Sequence, residues 1–129
     1  MITAVDISVL IDVFGAPSAQ ALRECLNQGA LVACDVVWSE TRAAFPSDEA
    51  FQAALEPLGI SFSPPTDKAA TLAGAVWKRY RASGGKRERV IADFLIGAHA
   101  ASQCDRLLTR DRGYYKRYFA GLTVVDPST

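Results

Sequence analysis

Asp6, Glu40, Asp93 and Asp111 each lie at the edge of an apolar run, in "ITAVDISVLID", "VVWSETRAAF", "VIADFLIGAHA" and "RLLTRDRGYY". A lone carboxylate in such a setting carries a desolvation cost of several kcal/mol unless it is paired or binds a metal. Brought together, four carboxylates would raise one another's pKa, and a hard, oxygen-seeking cation such as Mg2+ or Mn2+ would relieve the repulsion. A water acidified by such an ion can attack phosphorus while the ion balances charge on the leaving oxygen. The chemistry to expect is therefore metal-dependent hydrolysis. Covalent catalysis has little support, because the chain has a single histidine, His99, and no apparent Ser-His-Asp set. Taken singly, each acid has a plainer role. Asp6 could cap a helix, Asp93 could sit at a helix N-terminus, Asp111 could start a turn and Glu40 could be an exposed helical residue. Only their joint placement makes a site.

That placement depends on the elements around them. "MITAVDI" reads as a short apolar strand ending at Asp6, and "SVLIDVF" as the start of a helix capped by Ser8. "SAQALRECLNQG" has apolar residues at helical spacing, with Gly29 as its stop. "ALVACD" is a buried strand, after which Asp35 can cap the helix "VVWSETRAAF", ending before Pro46. "SDEAFQAALEPLG" is a helix capped by Ser47 or Asp48, and "ISFSP" is a strand closed by Pro64 and Pro65. "TDKAATLAGAVWKRYRAS" is a long amphipathic helix, broken by the basic loop "GGKRER". A helix "VIADFLIGAHAASQ", a strand "CDRLLTRD", a short helix "RGYYKRYF" and a last strand "GLTVVDP" complete the chain.

Strands thus alternate with helices throughout. That pattern predicts an α/β fold, a central parallel sheet of about five strands with helices on both faces. Ligands of such sheets bind outside the carboxyl ends of the strands, near a switch in strand order. Asp6 and Asp111 fall at carboxyl ends of predicted strands, and Glu40 and Asp93 in the first turns of helices near the same edge. No linker or repeat divides the 129 residues, so residues 1–129 read as one domain. No apolar stretch reaches the roughly 18 residues of a membrane span. The N-terminus lacks signal-peptide character, and Cys25, Cys34 and Cys104 are odd in number and isolated. A cytoplasmic protein with reduced thiols is expected. Net charge is zero but uneven: residues 1–76 hold nine acids against three bases, residues 77–129 five acids against eleven bases. Such a split suggests a face built for an anion beside the acids.

The motifs "VDISVLID", "ADFLIGAHA" and "LLTRDRGYY", with Glu40 between them, resemble those of the PIN-domain ribonucleases. The size and order of the motifs look most like the VapC toxins of bacterial toxin–antitoxin pairs, over nearly the whole chain. The resemblance implies an α/β/α sandwich, Mg2+ or Mn2+ held by acids, and cleavage of RNA to leave a 5′-phosphate and a 3′-hydroxyl. By matching position, Asp6, Glu40 and Asp93 become metal ligands and Asp111 completes the site, directly or through water. Ser8 and Thr109 match supporting polar positions. Glu49 and Asp48 are rivals to Glu40 in a more polar stretch, and Asp12 matches a second N-terminal acid with a helix or surface role. The toxin reading also implies a cognate antitoxin that blocks the acidic pocket, and a homodimer.

For RNA, the candidates are Lys86, Arg87 and Arg89 in the basic loop and Arg110 and Arg112 beside Asp111. Tyr114, Tyr115 and Tyr118, interleaved with cations, suit base stacking and subunit packing equally. Trp38 and Trp77 read as core or interface, and His99 as a packed or surface histidine. Two alternatives stand beside the nuclease. A haloacid-dehalogenase-type phosphatase would need an aspartate where Ser8 stands, and a catalytically silent PIN-like module would only bind RNA or protein.

Overall fold

A strand of small and β-branched residues, Ile2–Val5 (β1), runs through the middle of the computed structural model, with Thr3, Ala4 and Val5 buried. The structure describes residues 1–11, 16–86 and 89–127, the side chains at 16 and 17 excepted. Two of the sequence's candidates, Asp12 and Arg87, lie outside the described residues. Strands β2 (Ala30–Ala33) and β4 (Arg106–Leu108) flank β1, and β3 (Ile60–Phe62) and β5 (Val124–Val125) form the edges. The order is β3-β2-β1-β4-β5, and every pair is parallel. The chain steps outward from β1 to β3, then returns to the other side of β1 for β4 and β5. With right-handed crossovers, that reversal sends the connections over opposite faces. The result is the α/β/α sandwich with a five-stranded parallel sheet that the sequence predicts.

The reversal puts the switch point between β1 and β4. Val5 pairs with Leu108, so the two strands end level and the residues after them share one edge. Asp6 follows β1, and Thr109 to Asp111 follow β4.

The helices are α1 (Ile7–Leu10), α2 (Ala16–Asn27), α3 (Asp35–Ala43), α4 (Asp48–Leu55), α5 (Asp67–Ala82), α6 (Ile91–Gln103) and α7 (Arg112–Tyr118). Local chemistry sets their ends. Ser47 Oγ accepts from Ala50 N at 3.1 Å and Thr66 Oγ1 from Ala69 N at 3.2 Å, each satisfying an amide that the first turn leaves open. After α4, a 3₁₀ turn ends at Gly59, whose φ of 68° is the left-handed conformation glycine tolerates best. Two caps differ from expectation. Asp6, not Ser8, caps α1, and Cys34 precedes α3 with no side-chain bond, leaving Asp35 inside the first turn.

Helix α5 buries Ala69, Ala73, Val76 and Tyr80 along one stripe and lies along α6. Helix α6 buries a continuous run from Ile96 to Ala100. Gly97 is part of it, and a Cβ built there would fall 2.3 Å from Phe119 Cε2. Only a bare Cα lets α6 seat against that ring. His99 is packed, as expected: it is buried and its Nε2 lies 2.9 Å from Ser63 Oγ, and burial holds its pKa below the ordinary value. All three cysteines are free, and burial pushes Cys104 up to about 11, which leaves it protonated at neutral pH. Among the described residues no helix is long and apolar enough to cross a membrane.

Candidate functional site

Asp6 is the fixed point of the site. It is only 4% exposed, and its amide is tied to Leu108 O of β4 at 3.0 Å. Its Oδ1 accepts from Ile7 N at 2.8 Å. Its Oδ2 accepts from two hydroxyls, Ser8 Oγ at 2.9 Å and Thr109 Oγ1 at 2.7 Å. Each hydroxyl in turn accepts a backbone amide, Arg110 N on Ser8 at 3.1 Å and Asp111 N on Thr109 at 3.0 Å. The two short side chains thus lock the loop after β4 to the acid after β1. Even with three donors, Asp6 titrates above the ordinary carboxylate value. Burial is the main cause, with a smaller push from the Asp111 charge, and the three hydrogen bonds only partly offset it.

Glu40 lies in the second turn of α3 rather than the first, and its side chain is exposed. Only Asp6 among the four acids is buried, so the desolvation signal read from the sequence applies to it alone. Among the described residues the Glu40 carboxylate has no hydrogen bond or ion pair. Its pKa is raised, first by partial desolvation and then by the charges of Asp93 and Asp6. Those couplings join Glu40 to the same field as the acids on the strand edge. Asp93, in the first turn of α6, accepts from Val90 N at 3.0 Å through Oδ2 and so also secures the helix start. Asp111 stands just before α7 with no side-chain cap bond, beyond the end of β4 at Leu108.

The arrangement also holds a cation of its own. Arg89 Nη1 lies 2.6 Å from Asp111 Oδ2 and 4.0 Å from Asp93 Oδ1. Its guanidinium carbon sits 4.1 Å from the centroid of the Tyr114 ring. Burial works against the Arg89 charge, but the hydrogen bond and charge of Asp111, then of Asp93, outweigh it and raise its pKa. The sequence assigns Arg89 to RNA; its i,i+4 spacing to Asp93 signals the weaker of these two approaches, not the bond to Asp111. The acids converge without closing: among the described residues no three His, Cys, Asp or Glu side chains are grouped tightly enough to enclose an ion.

Among the other candidates, Lys86, Arg110 and Arg112 are exposed, the last two on either side of Asp111. Tyr114 and Tyr115 are buried, which ends the base-stacking reading for both. Their rings pack on each other, and Tyr114 also meets Phe94. Tyr118 is half-buried against Tyr80 and Tyr114. The Tyr114 hydroxyl is buried without a hydrogen-bond partner among the described residues, in the field of Asp93, Arg89 and Asp111. Trp38 packs edge-on against Phe51 and Phe62, and Trp77 lies under the Arg81 guanidinium.

A parallel sheet with acids at its switch point defines a class, and comparison with known proteins gives the family. The PIN domain family matches residues 3–120, so the chain belongs to the PIN-domain family. No curated protein sequence matches it significantly. Its structural neighbours are VapBC and related toxin–antitoxin complexes. A chain of VapBC2 from Rickettsia felis, bound to a DNA fragment from its promoter, superposes with a TM-score of 0.79 at 16% identity, covering 98% of both chains. VapBC-1 from nontypeable Haemophilus influenzae gives 0.76 at 17% identity over 100% of both. A toxin–antitoxin complex from Klebsiella pneumoniae gives 0.67 at 21% identity over 97% of both.

Proposed function

We propose that this chain is a metal-dependent endoribonuclease acting as the toxin of a type II toxin–antitoxin pair. The observation that carries the reading is Asp6, buried at the switch point of a parallel sheet and electrostatically coupled to Glu40 and Asp111. The donor set is entirely oxygen, which suits Mg2+ or Mn2+ rather than a softer metal. Two features fit such an ion: Glu40 has no partner among the described residues, and both Asp6 and Glu40 titrate above their ordinary values, through burial first and neighbouring carboxylate charge second. Asp6, Glu40 and Asp93 would hold it, with Asp111 completing the set. When bound, such an ion supplies an acidified water and a counter-charge for the phosphate.

The protein's own groups do the rest. Ser8 and Thr109 fix Asp6 and hold the loop carrying Asp111 against it. Arg110 and Arg112 flank the acids and would hold the phosphate next to the scissile bond, with Lys86 further along the backbone. Hydrolysis leaves a 5′-phosphate and a 3′-hydroxyl. The toxin role rests on similarity to chains of VapBC and toxin–antitoxin complexes. A cognate antitoxin would cover the acidic pocket with a basic side chain, and the toxin would pair as a homodimer.

The test is cleavage of labelled RNA with Mn2+, with excess EDTA, and with Asp6→Asn and Asp93→Asn. Loss of cleavage in EDTA and in both variants, with circular dichroism unchanged, supports the reading. Full activity in any of the three sinks it.

A further inference from the structure

The two halves of the acidic site are occupied differently. On the α3 side Glu40 has no cation partner among the described residues, whereas on the α7 side Arg89 holds Asp111 and stands within ion-pair reach of Asp93. Arg89 is supported from below by the Tyr114 ring, and its side chain is only 29% exposed. A guanidinium so placed competes with a divalent ion for the same carboxylates, because like charges a few ångströms apart repel in a partly desolvated site.

We propose that Arg89 is a built-in latch on this site: it neutralises Asp111 and Asp93 when no divalent cation is bound, and it must leave them for one to bind. The inference rests on the metal-dependent reading above. It makes Arg89 a positioning residue that competes with the ion, not a phosphate grip. A second observation points the same way. The latched arrangement leaves the Tyr114 hydroxyl buried and unpartnered among the described residues, in the field of the same three charged groups. A buried donor without an acceptor is a cost.

The latch separates two properties that a simple structural ion pair would move together. Removing a merely structural partner of Asp111 loosens the site and weakens cation binding. Removing a latch strengthens it. Calorimetric titration of Mn2+ into the wild type, Arg89→Gln and Arg89→Lys distinguishes them, with Arg79→Gln as a control for bulk charge, since Arg79 is exposed on α5. The expected result is Mn2+ binding about tenfold or more tighter in Arg89→Gln, little change in Arg79→Gln, and an intermediate value for Arg89→Lys, which keeps charge but loses the planar fork. Should Arg89→Gln fail to fold, the wild type alone carries the test. Mn2+ must then change the near-ultraviolet dichroism of the tyrosines as the cation leaves the Tyr114 ring, and an unchanged spectrum at saturation overturns the latch. Equal or weaker Mn2+ affinity in Arg89→Gln, or equal tightening in Arg79→Gln, also overturns it while leaving the nuclease reading intact. No Mn2+ binding by any folded form, including the wild type, overturns the metal-dependent reading itself and the latch with it.

Discussion

The two ends of one pair of strands, β1 and β4, are built on opposite rules. At their amino ends Asp105 and Arg106 each have neutral or backbone partners. Asp105 accepts from Ile2 N at 2.6 Å, Arg106 Nε donates to Thr3 Oγ1 at 2.9 Å, and Arg106 Nη2 donates to Gln28 Oε1. At their carboxyl ends the acids crowd one another around Arg89, and the most buried acid titrates upward despite three donors. The amino edge spends its polar groups on holding the sheet. The carboxyl edge leaves them underspent, which costs stability and leaves capacity to bind something.

The largest effect that would break this contrast is on activity. Asp6→Asn should lower Mn2+-dependent RNA cleavage by roughly a hundredfold or more with the fold kept. In the same cleavage assay, Arg106→Ala at the amino edge should stay near the wild-type rate. Next comes Thr109→Val, which removes a donor from Asp6 and the acceptor of Asp111 N in a buried place. Urea denaturation should show a loss of about 1–3 kcal/mol, together with a weaker Mn2+ site. Arg106→Ala itself should cost about 1 kcal/mol in the same experiment, with Mn2+ affinity unchanged.

The smallest effect is on pH dependence. Asp6 and Glu40 have folded pKa values above their unfolded ones, so between the two the folded state binds more protons than the unfolded. Their contribution to stability is therefore greatest below the ordinary carboxyl values of 3.8 and 4.5 and is lost as pH rises through the folded values. Asp6→Asn should flatten this part of the profile and raise the neutral-pH thermal midpoint by a few degrees. A lower midpoint in Asp6→Asn would show that the carboxylate is held by its donors more than it suffers from burial.

The alternation of strands and helices was legible because buried parallel strands and amphipathic helices write different periods into a chain. So was the placing of Asp6 and Asp111 at one edge, since residues after parallel strands share an edge whatever the strand order. The order β3-β2-β1-β4-β5 was not, because it depends on which faces pack. Asp6 reads as one of two possible caps with Ser8, and only the approach of Thr109 across 103 residues decides which is the acceptor. Arg89 is one of several cations in "KRER", and its pairing with Asp111 depends on a contact 22 residues away. The tyrosines of α7 were ambiguous for a related reason: seven residues make only two turns, too few to mark one face as buried.

Gly97 acts as a gauge on Asp93. It follows that acid by four residues, about one turn along the same helix. With a hydrogen in place of a side chain, α6 rests at the depth Phe119 permits, and its first turn brings Asp93 up to the strand ends at that depth. A single methyl at position 97 must move either a buried ring or the whole helix, and the carboxylate travels with the helix. The reach of Asp93 toward the strand ends is therefore metered from beneath, by a buried residue with no side chain of its own. Losing it would displace Asp93 with all four acids still in the sequence.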